Sequence, residues 1–162
     1  MCLFKLLFFL KGNLYISHQN GNFVSEFGAL HKDVEPHLSW ASEAFGCVPE
    51  VTNIWIGDGK AFTSCHKDHY ENIYIVVSGE KHFTLLPPTD YPWLYEKRYP
   101  PARFKQDVQS GKWRVFDEPN ANDKSAAVPW ISVDPSAPDL TKFPLFSNAR
   151  PYKITVKAGE CL

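Results

Sequence analysis

The sequence predicts one mainly β domain with a short helical region near its N-terminus. Thirteen prolines and nine glycines in 162 residues indicate many turns and extended segments. Aromatic residues make up 15% of the chain, too many to remain in water, so a packed core is expected. Several short apolar stretches have the pattern of strands, whereas a single stretch has the pattern of a helix.

The predicted helix covers residues 35–46. Pro36 lies near its first turn, and Gly46 follows as a stop signal. Leu38, Ala41 and Phe45 recur on one face, as the helical period requires. The predicted strands follow at residues 53–56, 61–66, 73–78, 81–86 and 153–156. Residues 87–150 contain repeated prolines, which predict irregular loops with short strands.

A hairpin is predicted where Gly79 and Glu80 separate two of these strands. A two-residue loop with glycine first suits a type II′ turn. Because side chains alternate along a strand, this register places one set of residues on a common face. That set is Asn72, Tyr74, Val76, Lys81, Phe83 and Leu85. Lys81 is the exception on an otherwise largely apolar face, so it either reaches water at the sheet end or holds an anion.

The net charge, the cysteines and the N-terminal residues limit which classes of partner and which cellular compartment are expected. The formal net charge is −1, so no strongly basic field favours nucleic acid or an anionic membrane. The four cysteines form no C-x-x-C pair, which favours a reducing cytoplasm or nucleus. The apolar run at residues 6–10 is too short for a secretion signal or a membrane span. We interpret residues 1–12 as a buried strand or a non-native start.

The candidate chemistry lies in the tripeptide His66-Lys67-Asp68. On an extended segment, His66 and Asp68 project from one face and Lys67 from the other. One imidazole and one carboxylate are two of the three ligands in the facial triad that binds non-haem Fe(II). The same tripeptide occurs at residues 31–33, where no strand pattern surrounds it, so the spacing alone is a weak signal. A zinc cluster of Cys65, His66 and His69 is disfavoured because adjacent residues on a strand point apart.

Longer stretches of the sequence resemble the jumonji C (JmjC) oxygenases. They include FTSCHKDHYENIY at residues 62–74, VSGEKHF at 77–83, WASEA at 40–44, VPWI at 128–131 and APDL at 137–140. The likeness covers about residues 13–162. It implies a double-stranded β-helix, the jelly-roll of cupins, with Fe(II) and 2-oxoglutarate bound between its sheets. The resemblance divides the chain into an N-terminal segment, residues 1–48, and an incomplete JmjC domain, residues 49–162.

The resemblance also implies an activity and a role for particular residues. Family members use O2 and 2-oxoglutarate to hydroxylate a substrate C–H bond, and the sequence resembles a member that acts as a lysyl hydroxylase of developmentally regulated GTP-binding proteins. By position, His66 and Asp68 would bind the iron, and Lys81 would pair with the far carboxylate of 2-oxoglutarate. Thr63, Asn72 and Tyr15 match further contacts to the co-substrate. A protein substrate is therefore expected, while the oligomeric state is not predicted.

The sequence departs from the family pattern at the third iron ligand. The family supplies a second histidine from a strand near the C-terminal end, yet no histidine follows His82 here. The closing strands of the barrel are expected to be missing as well, and the chain as given is expected to be inactive. His69 and His82 are poor substitutes, because each is expected to point away from the site. Two readings stay open: an incomplete hydroxylase, or an inactive jelly-roll module that binds protein. Histone lysine demethylation is a less favoured third reading.

Overall fold

The computed structural model describes residues 15–17 and 20–162 and confirms a mainly β chain. The strands are β1 (Tyr15–Ser17), β2 (Trp55–Gly57), β3 (Glu80–Leu85), β4 (Glu96–Tyr99), β5 (Ala102–Gln106), β6 (Trp113–Asp117), β7 (Val128–Ile131) and β8 (Tyr152–Lys157). The helices are α1 (Asn22–Ser25) and α2 (Ser39–Phe45). Single 3₁₀ turns cover Gly28–Lys32, Pro88–Trp93, Lys124–Ala126 and Pro144–Asn148. Within the described residues, the strands form four two-stranded antiparallel ribbons and no closed barrel.

The chain forms two compact units that divide between Thr63 and Ser64. In the first unit, β1 pairs with β2. The fully buried amide of Asn22 fixes the start of α1, because its Nδ2 donates to the carbonyl of Ile54 at 3.0 Å and its Oδ1 accepts from Ile54 N at 2.7 Å. This exchange satisfies both backbone groups of a residue that has no ladder partner on that side.

Helix α2 confirms the predicted helix but not its full length or its face. It begins at Ser39 and ends at Phe45, and Gly46 takes the left-handed conformation with a φ of 68° that glycine adopts most easily. Ala41 is buried as predicted, whereas Phe45 is 72% exposed. The helix has only two turns. Phe45 is its last residue and lies one turn beyond the buried Ala41.

The second unit has a small core between its ribbons and its 3₁₀ turns. Its buried members are Leu94, Ile131, Val133, Phe143 and Phe146. Leu94 precedes β4 and Ile131 ends β7, so the β4–β7 ribbon carries the core. Asp90 is 1% exposed and accepts hydrogen bonds from the backbone N and the guanidinium of Arg150, at 2.6 and 3.5 Å. A buried carboxylate needs such partners, and here they tie the turn after β3 to the start of β8.

The predicted hairpin at Gly79 is wrong, although Gly79 does have the positive φ (77°) that the turn required. The six residues of β3 pair with β8 instead, and Ile75 forms a bridge with Cys161 that is flanked by backbone hydrogen bonds from Tyr74 N to Leu162 O and from Val76 N to Glu160 O. The carbonyls of Val76 and Gly79 accept from Gly159 N and Ala158 N. Strand β8, which is distant in sequence, therefore takes the place beside β3 that the hairpin prediction gave to residues 73–78.

One part of the predicted common face survives the change of partner. The rings of Tyr74 and Phe83 meet edge to face at a centroid distance of 4.9 Å. Nine extended residues would span about 30 Å, so the chain bends sharply between these rings. The predicted strand 73–78 is reduced to the bridge at Ile75, and residues 61–66 form no strand. Strand β2 begins two residues later than predicted. No helix in the described part of the chain is both long and apolar enough to cross a membrane.

Candidate metal centre

The segment that carries His66 and Asp68 has no regular secondary structure. No ladder of backbone hydrogen bonds holds it, so side-chain contacts must fix its conformation. Cys65 provides the first contact, because it is half-buried against the core of the second unit. Burial raises the pKa of its thiol above the ordinary value, and the charge of Asp134 raises it further. Cys65 therefore serves packing and lies away from the ligand side of its neighbour.

His66 is held by two contacts that fix its ring and its tautomer. Its Nδ1 lies 2.8 Å from the carbonyl oxygen of Ser64, which can only accept, so Nδ1 carries the proton. The ring stacks on Trp130 with a centroid distance of 5.2 Å and an interplanar angle of 13°. The indole N–H of Trp130 donates to Ser64 Oγ at 3.1 Å and closes the arrangement. Because Nδ1 is used in this way, Nε2 is the ring nitrogen that is left to bind a ligand.

The carboxylate of Asp68, two residues on, lies near this second ring nitrogen. His66 Nε2 lies 3.7 Å from Asp68 Oδ1. Metal–nitrogen and metal–oxygen bonds of about 2.0–2.2 Å place two ligand atoms on one ion no more than about 4.3 Å apart. The two side chains are 32% and 61% exposed, which leaves room for further ligands. A carbonyl that orients a ligating histidine through its other nitrogen is the usual support of a metal site.

His66 and Asp68 fit two positions of a metal site, but the structure does not supply a third. In residues 15–17 and 20–162, no three His, Cys, Asp or Glu side chains are arranged to hold an ion together. His82 lies on the opposite face of β3 from Lys81, with Nδ1 2.9 Å from Thr155 Oγ1 and Nε2 3.2 Å from Glu80 Oε1. His82 is therefore occupied elsewhere, as the sequence predicted.

Lys67, between the two ligands, is held on the opposite side of the segment. Its Nζ lies 2.9 Å from Glu96 Oε2 and 4.3 Å from the centre of the Tyr91 ring, and the Tyr91 hydroxyl donates to Glu96 Oε1 at 2.7 Å. The bond to Glu96 raises the pKa of Lys67 above its ordinary value. The bonds from Tyr91 and then Lys67 lower the pKa of Glu96. Glu96 begins β4, whose partner β7 carries Trp130, so one ribbon holds both sides of the segment.

The second copy of the tripeptide has a different structure. His31 and Lys32 end a 3₁₀ turn, and Asp33 follows it. His31 Nε2 lies 3.0 Å from the carbonyl oxygen of Phe23, and the two rings are 4.7 Å apart. Nε2 of His31 must therefore carry the proton, so the ring nitrogen that lies near Asp68 in residues 66–68 donates to a carbonyl in residues 31–33. The two tripeptides have opposite tautomers.

The remaining predicted residues lie in several parts of the chain. Lys81 is half-buried in β3 opposite the buried Val156. Asn72 is exposed outside any strand, so it does not share a strand face with Lys81 as the hairpin register required. Tyr15 in β1 and Thr63 belong to the first unit, and both are exposed.

Sequence reasoning missed the residues that position the ligands. Ser64, Tyr91, Glu96 and Trp130 all contact the segment around His66. Trp130 had a signal, because the VPWI stretch belongs to the JmjC resemblance. Tyr91 and Glu96 had none, since their role depends on where β4 is placed.

Comparisons with known proteins show the family to which the chain belongs. The profile of the family described as "Cupin-like domain" matches residues 10–162. The chain is 48% identical to the human "Bifunctional peptidase and (3S)-lysyl hydroxylase JMJD7" over 93% of this chain and 46% of that protein. It is 47% identical to the Arabidopsis thaliana "Lysine-specific demethylase JMJ32", over 91% of this chain and 44% of that protein. The Dictyostelium discoideum "JmjC domain-containing protein E" is 39% identical over the same shares. The chain spans about half the length of these curated relatives.

The contact between Lys67 and Glu96 predicts a pH-dependent coupling. Glu96 has its pKa lowered in the folded state, so its contribution is present above the ordinary glutamate pKa and is lost as the pH falls through the lowered value. Lys67 has its pKa raised, so its contribution is present below the ordinary lysine pKa and is lost as the pH rises through the raised value. Urea unfolding of Lys67→Ala, Glu96→Ala and the double variant should show a favourable coupling at neutral pH that disappears in acid.

A matched pair tests whether this coupling is specific. Lys153 is an exposed lysine of β8 with Thr84 opposite it. Lys153→Ala combined with Glu96→Ala should be additive in the free energy of unfolding. Coupling of equal size in both pairs, or coupling that persists in acid, would show that Lys67 and Glu96 do not form a specific ion pair.

Proposed function

This chain belongs to the cupin-like JmjC family, and on that basis we propose that it is part of an Fe(II)- and 2-oxoglutarate-dependent protein hydroxylase. Its fold is a partial jelly-roll: mainly strands, few helices and, in the described residues, no closed barrel. The observation that carries the proposal is the arrangement of His66 and Asp68, with Nε2 and Oδ1 3.7 Å apart and Nδ1 committed to a carbonyl.

The site residues divide the work in this proposal. His66 Nε2 and Asp68 Oδ1 would hold Fe(II), and Asp68 would supply the negative charge. Bound iron, together with 2-oxoglutarate and O2, supplies the oxidising power for hydroxylation of a C–H bond. Lys81 would bind the far carboxylate of 2-oxoglutarate. Its side chain is half-buried in β3, and partial exclusion of water there would strengthen a charge-assisted hydrogen bond. Thr63, Asn72 and Tyr15 are proposed as its further polar contacts.

For the substrate, we propose a lysyl side chain of a protein. Support comes from the human relative, whose name includes (3S)-lysyl hydroxylase. Developmentally regulated GTP-binding proteins are the finer proposal, carried over from the family resemblance. We also propose a cytoplasmic or nuclear location, in keeping with the free cysteines 47, 65 and 161.

Two other functions have specific support. The Arabidopsis relative is named a lysine-specific demethylase, which favours the same chemistry on a methylated lysine. A binding module without catalysis is favoured by the lack of a three-residue metal cluster in the described chain. A metal titration separates the binding module from the two oxygenase readings.

The first test of the proposal is metal binding. Calorimetric titration with Mn(II), as a stand-in for Fe(II), should show binding that His66→Ala and Asp68→Ala each abolish. His31→Ala and Asp33→Ala are the matched controls, since they alter the same tripeptide in the copy whose Nε2 is occupied, and they should leave binding unchanged. Equal losses in both sets, or no binding by the unaltered chain, would remove the site assignment.

The second test concerns Lys81 and the co-substrate. A charge-assisted hydrogen bond contributes about 1.5–3 kcal/mol. Since about 1.4 kcal/mol corresponds to a factor of ten, Lys81→Ala should weaken 2-oxoglutarate binding by about tenfold or more in the presence of Mn(II). Lys81→Arg should restore it only in part, because a planar guanidinium does not fit a site shaped for an ammonium group. Binding of Mn(II) by Lys81→Ala should be unchanged, which is the control. An unchanged affinity of this variant for 2-oxoglutarate would exclude the role of Lys81.

A further inference from the structure

The hairpin formed by β5 and β6 is an arm that pairs with nothing else. In the described part of the chain, these two strands contact each other and no other helix or strand. All ten of their residues are exposed. An isolated two-stranded hairpin is marginally stable in water. The arm therefore has two open faces and two open edges that a partner can cover.

One face of the arm is largely apolar. Phe104 lies opposite Val115, and Trp113 lies opposite Gln106 at one end of the ribbon, while Ala102 lies opposite Asp117 at the other end. Phe104 is 70% exposed, Trp113 65% and Val115 59%. Large apolar side chains that are exposed together on one surface indicate an interaction site more often than isolated ones do.

The other face of the arm is cationic. Lys105 lies directly opposite Arg114, and Arg103 lies opposite Phe116. Arg103 is paired with Glu118, and Lys105 Nζ lies 5.6 Å from the centre of the Phe116 ring. The bond from Arg103 lowers the pKa of Glu118, and the charge of Lys105 lowers it further, but no carboxylate among the described residues forms an ion pair with Lys105 or Arg114. Like charges directly opposite on a ribbon are destabilising. A negative group placed between these two cations would relieve that repulsion.

The edge of β5 has free backbone groups. Glu118 N donates to Pro101 O, and Asp107 N donates to Lys112 O, so these two pairs face each other across the ribbon. Hydrogen-bonded pairs alternate along an antiparallel ladder. The N–H and C=O of Phe104 therefore point outward, as do those of Ala102 and Gln106. Such an edge can accept one more strand.

We propose that the edge of β5 binds an extended segment of a protein partner in which apolar and acidic residues alternate. The alternation follows from the arm, because an added strand places successive side chains on opposite faces. Its apolar side chains would pack beside Phe104, and its carboxylates would lie beside Lys105. The competing explanation is that the cations merely keep this edge from aggregating. The proposal does not depend on the hydroxylase function or on a metal.

The test uses the whole 162-residue chain and fluorescently labelled octapeptides in an anisotropy titration. An alternating Val-Glu peptide should bind, more tightly at low ionic strength. An alternating Val-Lys peptide should bind at least about tenfold more weakly, because like charges across an interface repel. A peptide with four valines followed by four glutamates has the same composition and charge but not the alternation, and it should also bind weakly.

Charge reversal distinguishes docking from loss of folding. Lys105→Glu with Arg114→Glu should weaken the binding of the Val-Glu peptide and strengthen the binding of the Val-Lys peptide. An unfolded arm cannot produce this exchange of preference. Lys153→Glu with Lys157→Glu, which reverses two exposed lysines of β8, is the matched control and should change the binding of neither peptide much. The proposal is wrong if the block peptide binds as well as the alternating one, or if the charge reversal produces no switch. It is also wrong if the chain binds vesicles of anionic lipid and none of the peptides. A further contradicting result is self-association of the chain that Trp113→Ser abolishes, because the partner on the arm would then be a second copy of the chain.

Discussion

The antiparallel pairing of β4 with β7 supports both the core of the second unit and the candidate metal centre. Leu94 and Ile131, at the ends of these strands, are buried together with Val133. The same ribbon places Glu96 beside Lys67 and Trp130 beside His66. Core packing is therefore what positions a segment that has no hydrogen-bonded ladder of its own. A change that loosened this ribbon would disturb the ligands without touching them.

The segment around His66 shows how successive residues can be fixed by different partners. Cys65 packs on the core, His66 stacks on Trp130, and Lys67 pairs with Glu96. Exposed ion pairs are individually weak. Three consecutive anchors that act in different directions nevertheless leave the backbone little freedom. These contacts leave Nε2 of His66 3.7 Å from Asp68 Oδ1.

Local patterns predicted local structure well and failed where the partner was remote. Helix α2 and strands β3 and β8 lie close to their predicted positions, because their periodicity and their stop signals are contained in a few residues. The hairpin at Gly79 failed, since β8 competes for the same strand from about seventy residues away. Of the candidate site, His66 and Asp68 were predicted from their spacing and the JmjC resemblance, and their side chains lie 3.7 Å apart. Glu96 and Tyr91 could not be found, because only the folded chain brings them to Lys67.

The structure gives the histidines of two identical tripeptides opposite tautomers, and the proposal that only residues 66–68 bind metal depends on this difference. Long-range ¹H–¹⁵N correlation spectra of the ¹⁵N-labelled, metal-free chain measure this directly, at a pH above the ordinary histidine pKa of about 6.5. The account predicts the proton of His66 on Nδ1 and that of His31 on Nε2. A proton on Nε2 of His66, or the same tautomer at both histidines, would contradict it.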